Sequence, residues 1–197
     1  MSSDKFRVSI HRHYYRIAVE QRRVYSELDA KMSRLETTQV SDDEVDAALE
    51  KRPECYEKRE QTAVIGITFA AMCLEAFFYD YAASKLGDGF TEEHLDKLDL
   101  PSKLVIIPQL VCGKAIEKSS HVYEKVKRLT KDRNYLVHFK SQSFDADEMD
   151  KVSEFHDELN ERFRRALTNG VEAVEVVLHT LDDLHGTPDY YFNRVCQ

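Results

Sequence analysis

Apolar residues recur at three- and four-residue steps over most of the chain, which is the spacing of a helix with one buried face. Residues 4–36 carry such a face in a seven-residue rhythm that Gln21 and Lys31 interrupt. These polar positions favour a helix packed in a hairpin over a free coiled coil. The apolar positions of this face are Ile10, Tyr14, Ile17, Val24, Leu28 and Leu35.

A short helix is predicted between the first and second long helices. Ser41 and Glu44 have the spacing of a capping box, in which the two side chains satisfy free amides at a helix start. The pattern then predicts a short helix through about Lys51 and a turn or a new helix start at Pro53.

Residues 54–86 are predicted to form the central helix. From Ala63 onward this segment is apolar nearly all round, as expected of a helix covered on several sides. Its longest apolar run, 63–79, contains Glu75 and falls short of the roughly 18–20 uninterrupted apolar residues of a membrane span. Gly87 is placed to end the helix in a left-handed conformation.

The second half of the chain predicts four further helical segments. Thr91 is expected to cap a short polar helix, and Pro108 limits the regularity of the apolar segment after it. Asn169 and Gly170 could kink or split the last long helix. The segments are 91–98, 102–113, about 119–139 and about 147–185. The fold class is therefore all-α, with four to five main helices and short accessory helices.

The composition fits one helical domain spanning residues 1–197. Hydrophobic residues make up 42% of the chain, and only 6 Gly and 4 Pro interrupt it. The formal charge of −8 argues against a general nucleic-acid binder and against DNA as a partner. However, residues 121–140 concentrate basic side chains: Lys125, Lys127, Arg128, Lys131, Arg133 and Lys140.

The chain carries no recognisable metal or cofactor motif. Its four cysteines show no CxxC pairing, and no phosphate-cradling glycine loop or nucleophile elbow is present. We therefore expect no metal and no cofactor. The first residues lack an apolar signal segment, so the expected location is cytoplasmic, with reduced thiols and no membrane association.

Arg133, Asn134 and His138 form the one suggestive cluster of reactive side chains. Arg133 falls on an apolar stripe between Leu129 and Leu136, where an unpaired charge is costly. Asn134 and His138 are four residues apart and so share a helix face.

The sequence R-N-Y-L-V-H at 133–138 resembles the motif of HEPN domains, which are compact helical bundles. The apolar run LEAFFYDYAASKLG and the run PSKLVIIPQLVCGK are similar to helices of such proteins, so the resemblance covers about residues 61–185. It implies a HEPN-like core at 61–185, with residues 1–60 as a helical extension packed on it. It also implies a homodimer in which two motifs line one cleft, and a metal-independent endoribonuclease of toxin or antiviral systems.

The resemblance implies a role for each motif residue. His138 would act as general acid or base at the ribose 2′-hydroxyl, and Arg133 would stabilise the phosphate. Asn134 would orient His138 or hold a phosphate oxygen. In the structural alternative, Arg133 pairs with a buried carboxylate and His138 caps its helix, where a positive charge suits the dipole.

Further residues are predicted to support this site. Glu75 is the only acid in the apolar run, and Arg133 is its expected partner, either within the site or in a purely structural ion pair. Four basic residues near the motif could attract RNA phosphates, although a solvated helix face is the commoner meaning of such charges. These are Lys127, Arg128, Lys131 and Lys140. Tyr135 could stack on an unpaired base or pack in the core.

Two other functions remain open on the sequence. One is a non-catalytic helical dimerisation or interaction module that keeps the motif for packing, which the acidic balance favours. The other is a regulator that binds RNA or a nucleotide without cutting it. A protein partner or antitoxin is compatible with each function.

Overall fold

The computed structural model describes residues 8–37, 42–145 and 147–197; of residues 35–37 and 42–53 it describes the backbone alone. Within these ranges the chain forms helices and no strand, so the predicted all-α class is confirmed. The helices are α1 (His11–Thr37), α2 (Asp42–Leu86), α3 (Asp88–Phe90), a π-helical turn (Thr91–Leu95), α4 (Leu100–Cys112), α5 (His121–Val137), α6 (Met149–His185) and α7 (Tyr190–Cys196).

Helix α2 runs without a break from Asp42 to Leu86. The predicted short helix ending near Lys51 and the turn at Pro53 are therefore wrong. A proline keeps a helical φ and removes one amide donor, so a helix stabilised by burial further along can continue through it. Ser41, the first residue of the predicted capping box, lies outside the described residues.

Two helix starts also differ from the prediction. Thr91 does not cap a helix: it is the first residue of the π-helical turn, and its hydroxyl donates to the Gly87 carbonyl oxygen, four residues earlier, at 2.9 Å. The next helix, α4, is capped by Asp99, whose carboxylate accepts the Ser102 amide at 2.8 Å. Asp99 precedes a proline-containing first turn, which is a common start for a helix.

Helices α2 and α6 form the centre of the bundle and approach closely at two glycines. A Cβ placed on Gly66 would lie 2.3 Å from Leu167 Cδ1, and one on Gly170 would lie 3.1 Å from the Ala70 Cβ. Gly170 therefore marks helix packing, and α6 continues through it without the predicted split. The absent side chains let the two backbones approach more closely than larger residues would allow.

Helix α1 lies antiparallel to both central helices. The Tyr15 hydroxyl donates to a Glu175 carboxylate oxygen at 2.8 Å, and the Tyr25 hydroxyl donates to the Asn160 carbonyl oxygen at 3.0 Å. On the α2 side, the Arg59 guanidinium donates to Asp29 at 2.8 Å. These contacts tie the N-terminal helix to the same bundle as the rest of the described chain.

Residues 54–86 of α2 are long and apolar enough, by length and composition, to span a membrane. Within the bundle, however, 56% of the most apolar window of this segment is buried. Such burial is typical of the core helix of a folded protein and is compatible with a soluble protein. The predicted central helix, 54–86, is thus found as the second part of α2, which ends at Leu86 as predicted but begins at Asp42.

We predict that Gly66→Ala destabilises the protein by about 1–3 kcal/mol, because the new methyl group overpacks the interface of α2 with α6. Leu167 is fully buried, and the Gln21 Cβ lies 3.0 Å from the same point, so neither neighbour can move away freely. Urea unfolding followed by circular dichroism measures the change. Gly89→Ala is the matched control, since a Cβ there meets nothing within 4 Å. Equal stability of the two variants would contradict the packing argument.

Candidate functional site

Helix α5 carries the motif, and the side chain of Ser120 sets its start. The Ser120 hydroxyl accepts the Tyr123 amide at 3.4 Å and caps the start of the helix. Val126 and Leu129 bury its inner face. The helix ends at Val137, two residues before the predicted end, and His138 is the residue after it.

The structure places Arg133, Asn134 and His138 together at the last turn of α5. Arg133 is half-buried, and its Nη1 donates to the Asn134 Oδ1 at 3.0 Å. Asn134 and His138 are exposed, and the His138 amide donates to the Asn134 carbonyl oxygen at 3.0 Å. Asn134 therefore orients the arginine through its side chain and contacts His138 through the backbone.

Arg133 has no carboxylate partner among the side chains that the structure describes. A half-buried guanidinium without a counter-ion is costly, because its lost hydration is not repaid by a charge pair. Its one hydrogen bond to a neutral amide leaves donors of the guanidinium free to bind an anion. The structural alternative, in which Arg133 pairs with a buried carboxylate, is not found within the described part of the chain.

Glu75 pairs with Lys103, not with Arg133 as predicted. Helix α4 packs across α2 and brings Lys103 beside Glu75, and the lysine side chain is only 6% exposed. The sequence prediction considered α5 as the source of the cation and overlooked α4. Because the Glu75 carboxylate neutralises a buried ammonium group, its contribution is to the stability of the fold.

Removing Glu75 is expected to cost more stability than removing Lys103. Glu75→Ala leaves the buried ammonium group unpaired, which costs roughly 2–4 kcal/mol, whereas Lys103→Met replaces it by an apolar chain of similar size and costs under about 1 kcal/mol. Thermal and urea unfolding of the two variants test this order. A larger loss in Lys103→Met would show that the ion pair itself stabilises the fold.

The predicted RNA-binding residues separate into two groups. Arg128, Lys131 and Tyr135 line a cleft of about 1140 Å³ between α5 and the first half of α6. Lys127 and Lys140 are exposed outside that cleft, and Lys127 pairs with Glu124 at 3.3 Å. The first group belongs to a concave site, and the second group to the solvated surface.

Arg162 on α6 holds the end of α5 that bears the motif. Its guanidinium carbon lies 3.3 Å from the centre of the Tyr135 ring, and its Nη2 lies 3.7 Å from the Asp132 carboxylate. These two contacts flank the Arg133–Asn134 pair in sequence. Arg162 and Arg165 both line the cleft, and neither was predicted from the sequence. Their three-residue spacing, which places both on one charged face of a helix, was the only sign of a shared site.

Burial raises the pKa of the Asp132 carboxyl group above its ordinary value. Four cations oppose this shift through their charges: Arg162, Arg128, Arg165 and Lys131. The carboxylate thus lies at the centre of a positively charged region.

A second cavity, of about 450 Å³, lies where α1, α2 and α7 meet. The buried His11 ring hydrogen-bonds the Ser9 hydroxyl, and its Nδ1 lies 3.2 Å from Asp80 Oδ2. Burial lowers the pKa of His11, although Asp80 opposes the shift. Burial also lowers the pKa of His185, whose Nε2 lies 2.7 Å from the Tyr81 hydroxyl oxygen.

These histidines predict a loss of stability in mild acid. A histidine whose pKa is lower in the folded state binds its proton more readily when unfolded, so stability falls as the pH drops from the ordinary histidine pKa of 6.5 through the folded pKa. We expect a lower urea midpoint at pH 5.5 than at pH 7.5, and a smaller difference in His11→Gln. The exposed His179→Gln is the control. A parent protein equally stable at both pH values would refute this linkage.

One group of described side chains could hold a metal ion. Ligand atoms of His179, Asp182 and Asp189 lie within 4.8 Å of one another. The Asp182 carboxylate already accepts the amides of Tyr191 at 2.8 Å and Phe192 at 3.1 Å, so it fixes the start of α7. The group lies apart from the motif, and the sequence reasoning did not single it out.

Comparison with protein-family models, with curated proteins and with solved structures finds no match for this chain.

Proposed function

We propose that this protein is a HEPN-like, metal-independent endoribonuclease that acts as a homodimer, with Arg133, Asn134 and His138 as its catalytic residues. The single observation that carries the proposal is the arrangement at the end of α5. A half-buried arginine, which has no carboxylate partner among the described side chains, hydrogen-bonds the Asn134 amide, and an exposed histidine follows at the end of the helix. This combination offers an anion-binding group and a proton-transfer group at one end of α5.

The chemistry follows from the properties of the two ionisable side chains. A neutral His138 takes the proton of the ribose 2′-hydroxyl, and the 2′-oxygen attacks the adjacent phosphorus. The bond from phosphorus to the 5′-oxygen breaks, leaving a 2′,3′-cyclic phosphate and a 5′-oxygen that receives a proton from a second histidine. Arg133 stabilises the negative charge that builds on the phosphoryl oxygens.

A second copy of the chain supplies the second histidine in this proposal. His138 is exposed at the helix end, as a composite site requires, whereas a module that used the motif only for packing would bury it. Val137, beside it, is an apolar side chain that is 64% exposed. An exposed valine next to reactive groups suits a surface that a partner covers.

Cleavage of a mixed-sequence labelled RNA in EDTA tests the proposed activity. We expect His138→Ala and Arg133→Ala each to lower the rate by at least about 100-fold, since each removes a proton-transfer or charge-stabilising group. Asn134→Ala should lower the rate less, because it removes the hydrogen bond that orients Arg133 but keeps the guanidinium group.

Matched controls are available within the same chain. His121→Ala alters an exposed histidine at the opposite end of α5, and Arg12→Ala alters an exposed arginine on α1; both should cleave like the parent. Equal cleavage by all variants would place the activity elsewhere. No cleavage by the parent on RNAs of varied sequence would count against the nuclease.

Mixing the parent protein with His138→Ala tests whether the site is shared between copies. The proposed step uses a histidine from each copy, so a mixed dimer of one parent copy and one His138→Ala copy keeps only one of the two histidines. We expect verified mixed dimers to cleave at less than about a tenth of the parent rate, since one proton-transfer group is missing. Cleavage at about half of the parent rate would mean that each copy uses its own His138.

The second candidate function is a non-catalytic interaction module. Large apolar side chains at least about one-third exposed on α2 and α4 favour it, because such residues are common at protein interfaces. They are Ile65, Met72, Ile106 and Leu110. Under this function the RNA stays intact, and His138→Ala leaves the oligomeric state unchanged.

A further inference from the structure

The cleft between α5 and α6 has a basic end, although the whole chain has a formal charge of −8. Arg128 and Lys131 come from α5, and Arg162 and Arg165 come from α6. All four act electrostatically on the half-buried carboxylate of Asp132. Glu161, also in the lining, is bound by Arg164 and lies 3.4 Å from Arg165. These cations outnumber the two carboxylates of this end, although the whole lining has as many acidic as basic residues.

The other end of the cleft has different chemistry. Glu154, Asp157 and Glu158 line it together with the rings of Phe144 and Phe155, whose centres lie 5.7 Å apart, and with Lys151, which is paired with Glu148. Carboxylates repel phosphates but accept hydrogen bonds from the amino groups of bases. Aromatic rings offer surfaces on which unpaired bases stack. The aromatic and acidic end thus suits unpaired nucleobases, and the end with the arginines and Lys131 suits the phosphate backbone.

The cleft lies close to the motif along α5. Tyr135, which lines the cleft, is three residues before His138, so the two side chains are neighbours on the helix surface. With a rise of 1.5 Å per residue, Lys131 lies about 10 Å and Arg128 about 15 Å from His138 along the helix axis. A few nucleotides of an extended strand span that distance.

We propose that this cleft binds single-stranded RNA beside the cleavage site, with Arg128, Lys131, Arg162 and Arg165 on its phosphates and the aromatic end on an unpaired base. The inference rests on the proposed function and names the part of the substrate that lies outside the catalytic turn. Double-stranded RNA is excluded from this mode, because pairing hides the base faces and amino groups that the aromatic and acidic end would contact.

Binding is measured separately from cleavage by using His138→Ala protein as the starting point. Fluorescence anisotropy of a labelled 12-nucleotide RNA of mixed sequence gives the Kd, with the same RNA in a duplex as a comparison. Adding Arg128→Glu and Lys131→Glu should raise the Kd at least 10-fold. The slope of log K against log salt should become less steep by about 1.4, since each lost phosphate contact on a single strand accounts for about 0.7.

The control is a pair of substitutions with the same charge change elsewhere. Lys97→Glu with Lys118→Glu alters two exposed lysines outside the cleft, and should change the Kd by less than about 3-fold. Circular dichroism confirms that each variant is folded. Equal losses in both double variants would show an effect of net charge alone and would overturn the proposal. Absence of RNA binding, or equally tight binding of the duplex, would also overturn it.

The two proposals fail in distinguishable ways. If the parent protein binds RNA through Arg128 and Lys131 but never cleaves it, the nuclease is refuted and the binding cleft stands. If the parent cleaves RNA and the double charge reversal changes neither binding nor cleavage, the cleft is refuted and the nuclease stands.

Discussion

The close approach of α2 and α6 at Gly66 and Gly170 is the constraint on which the rest of the bundle depends. Where a side chain of one helix packs directly on a glycine of the other, even one added methyl group has no room, and this fixes the distance between the two helices. Leu129 on α5 packs at the same point, since a Cβ on Gly170 would lie 3.4 Å from its Cδ1. The position of the motif helix thus follows from the packing of the two central helices.

Two cations at the edge of the core, Lys103 and Arg133, differ in whether a carboxylate pairs with them. Lys103 is buried and neutralised by Glu75, so its charge is satisfied within the fold. Arg133 is half-buried and held only by the Asn134 amide, so its positive charge faces no described carboxylate. The cost of a partly desolvated cation is compensated when an anion binds to it, which links the local electrostatics to the proposed phosphate chemistry.

The C-terminal half of α5 carries two sets of groups. Arg128, Lys131 and Tyr135 line the cleft with α6, whereas Arg133 and Asn134 hydrogen-bond each other and are not among the residues that line it. Arg162 joins the two, because it contacts the residues on either side of the Arg133–Asn134 pair. The pairing of α5 with α6 thus gathers four basic side chains in one cleft, although the chain as a whole is acidic.

The helical class, the central helix and the cluster at 133–138 were predictable from the sequence, because burial periodicity and spacing along one helix are local properties of the chain. The continuity of α2 through Pro53 was not predictable, because the burial that sustains the helix outweighs the one hydrogen bond that a proline removes. The predicted split at Gly170 was also wrong. The missing side chain of this glycine makes room for Ala70 of α2 and Leu129 of α5, and the helix continues through it.

The sequence by itself determined which segments are helical and that Arg133, Asn134 and His138 lie close together along the chain, at the end of one helix. Only the tertiary structure decided that Glu75 pairs with Lys103, and that Arg162 and Arg165 complete a cleft with Arg128 and Lys131. The physical reason is that an ion pair or a cleft between helices depends on which faces pack together. That packing is set by distant contacts such as those at Gly66 and Gly170.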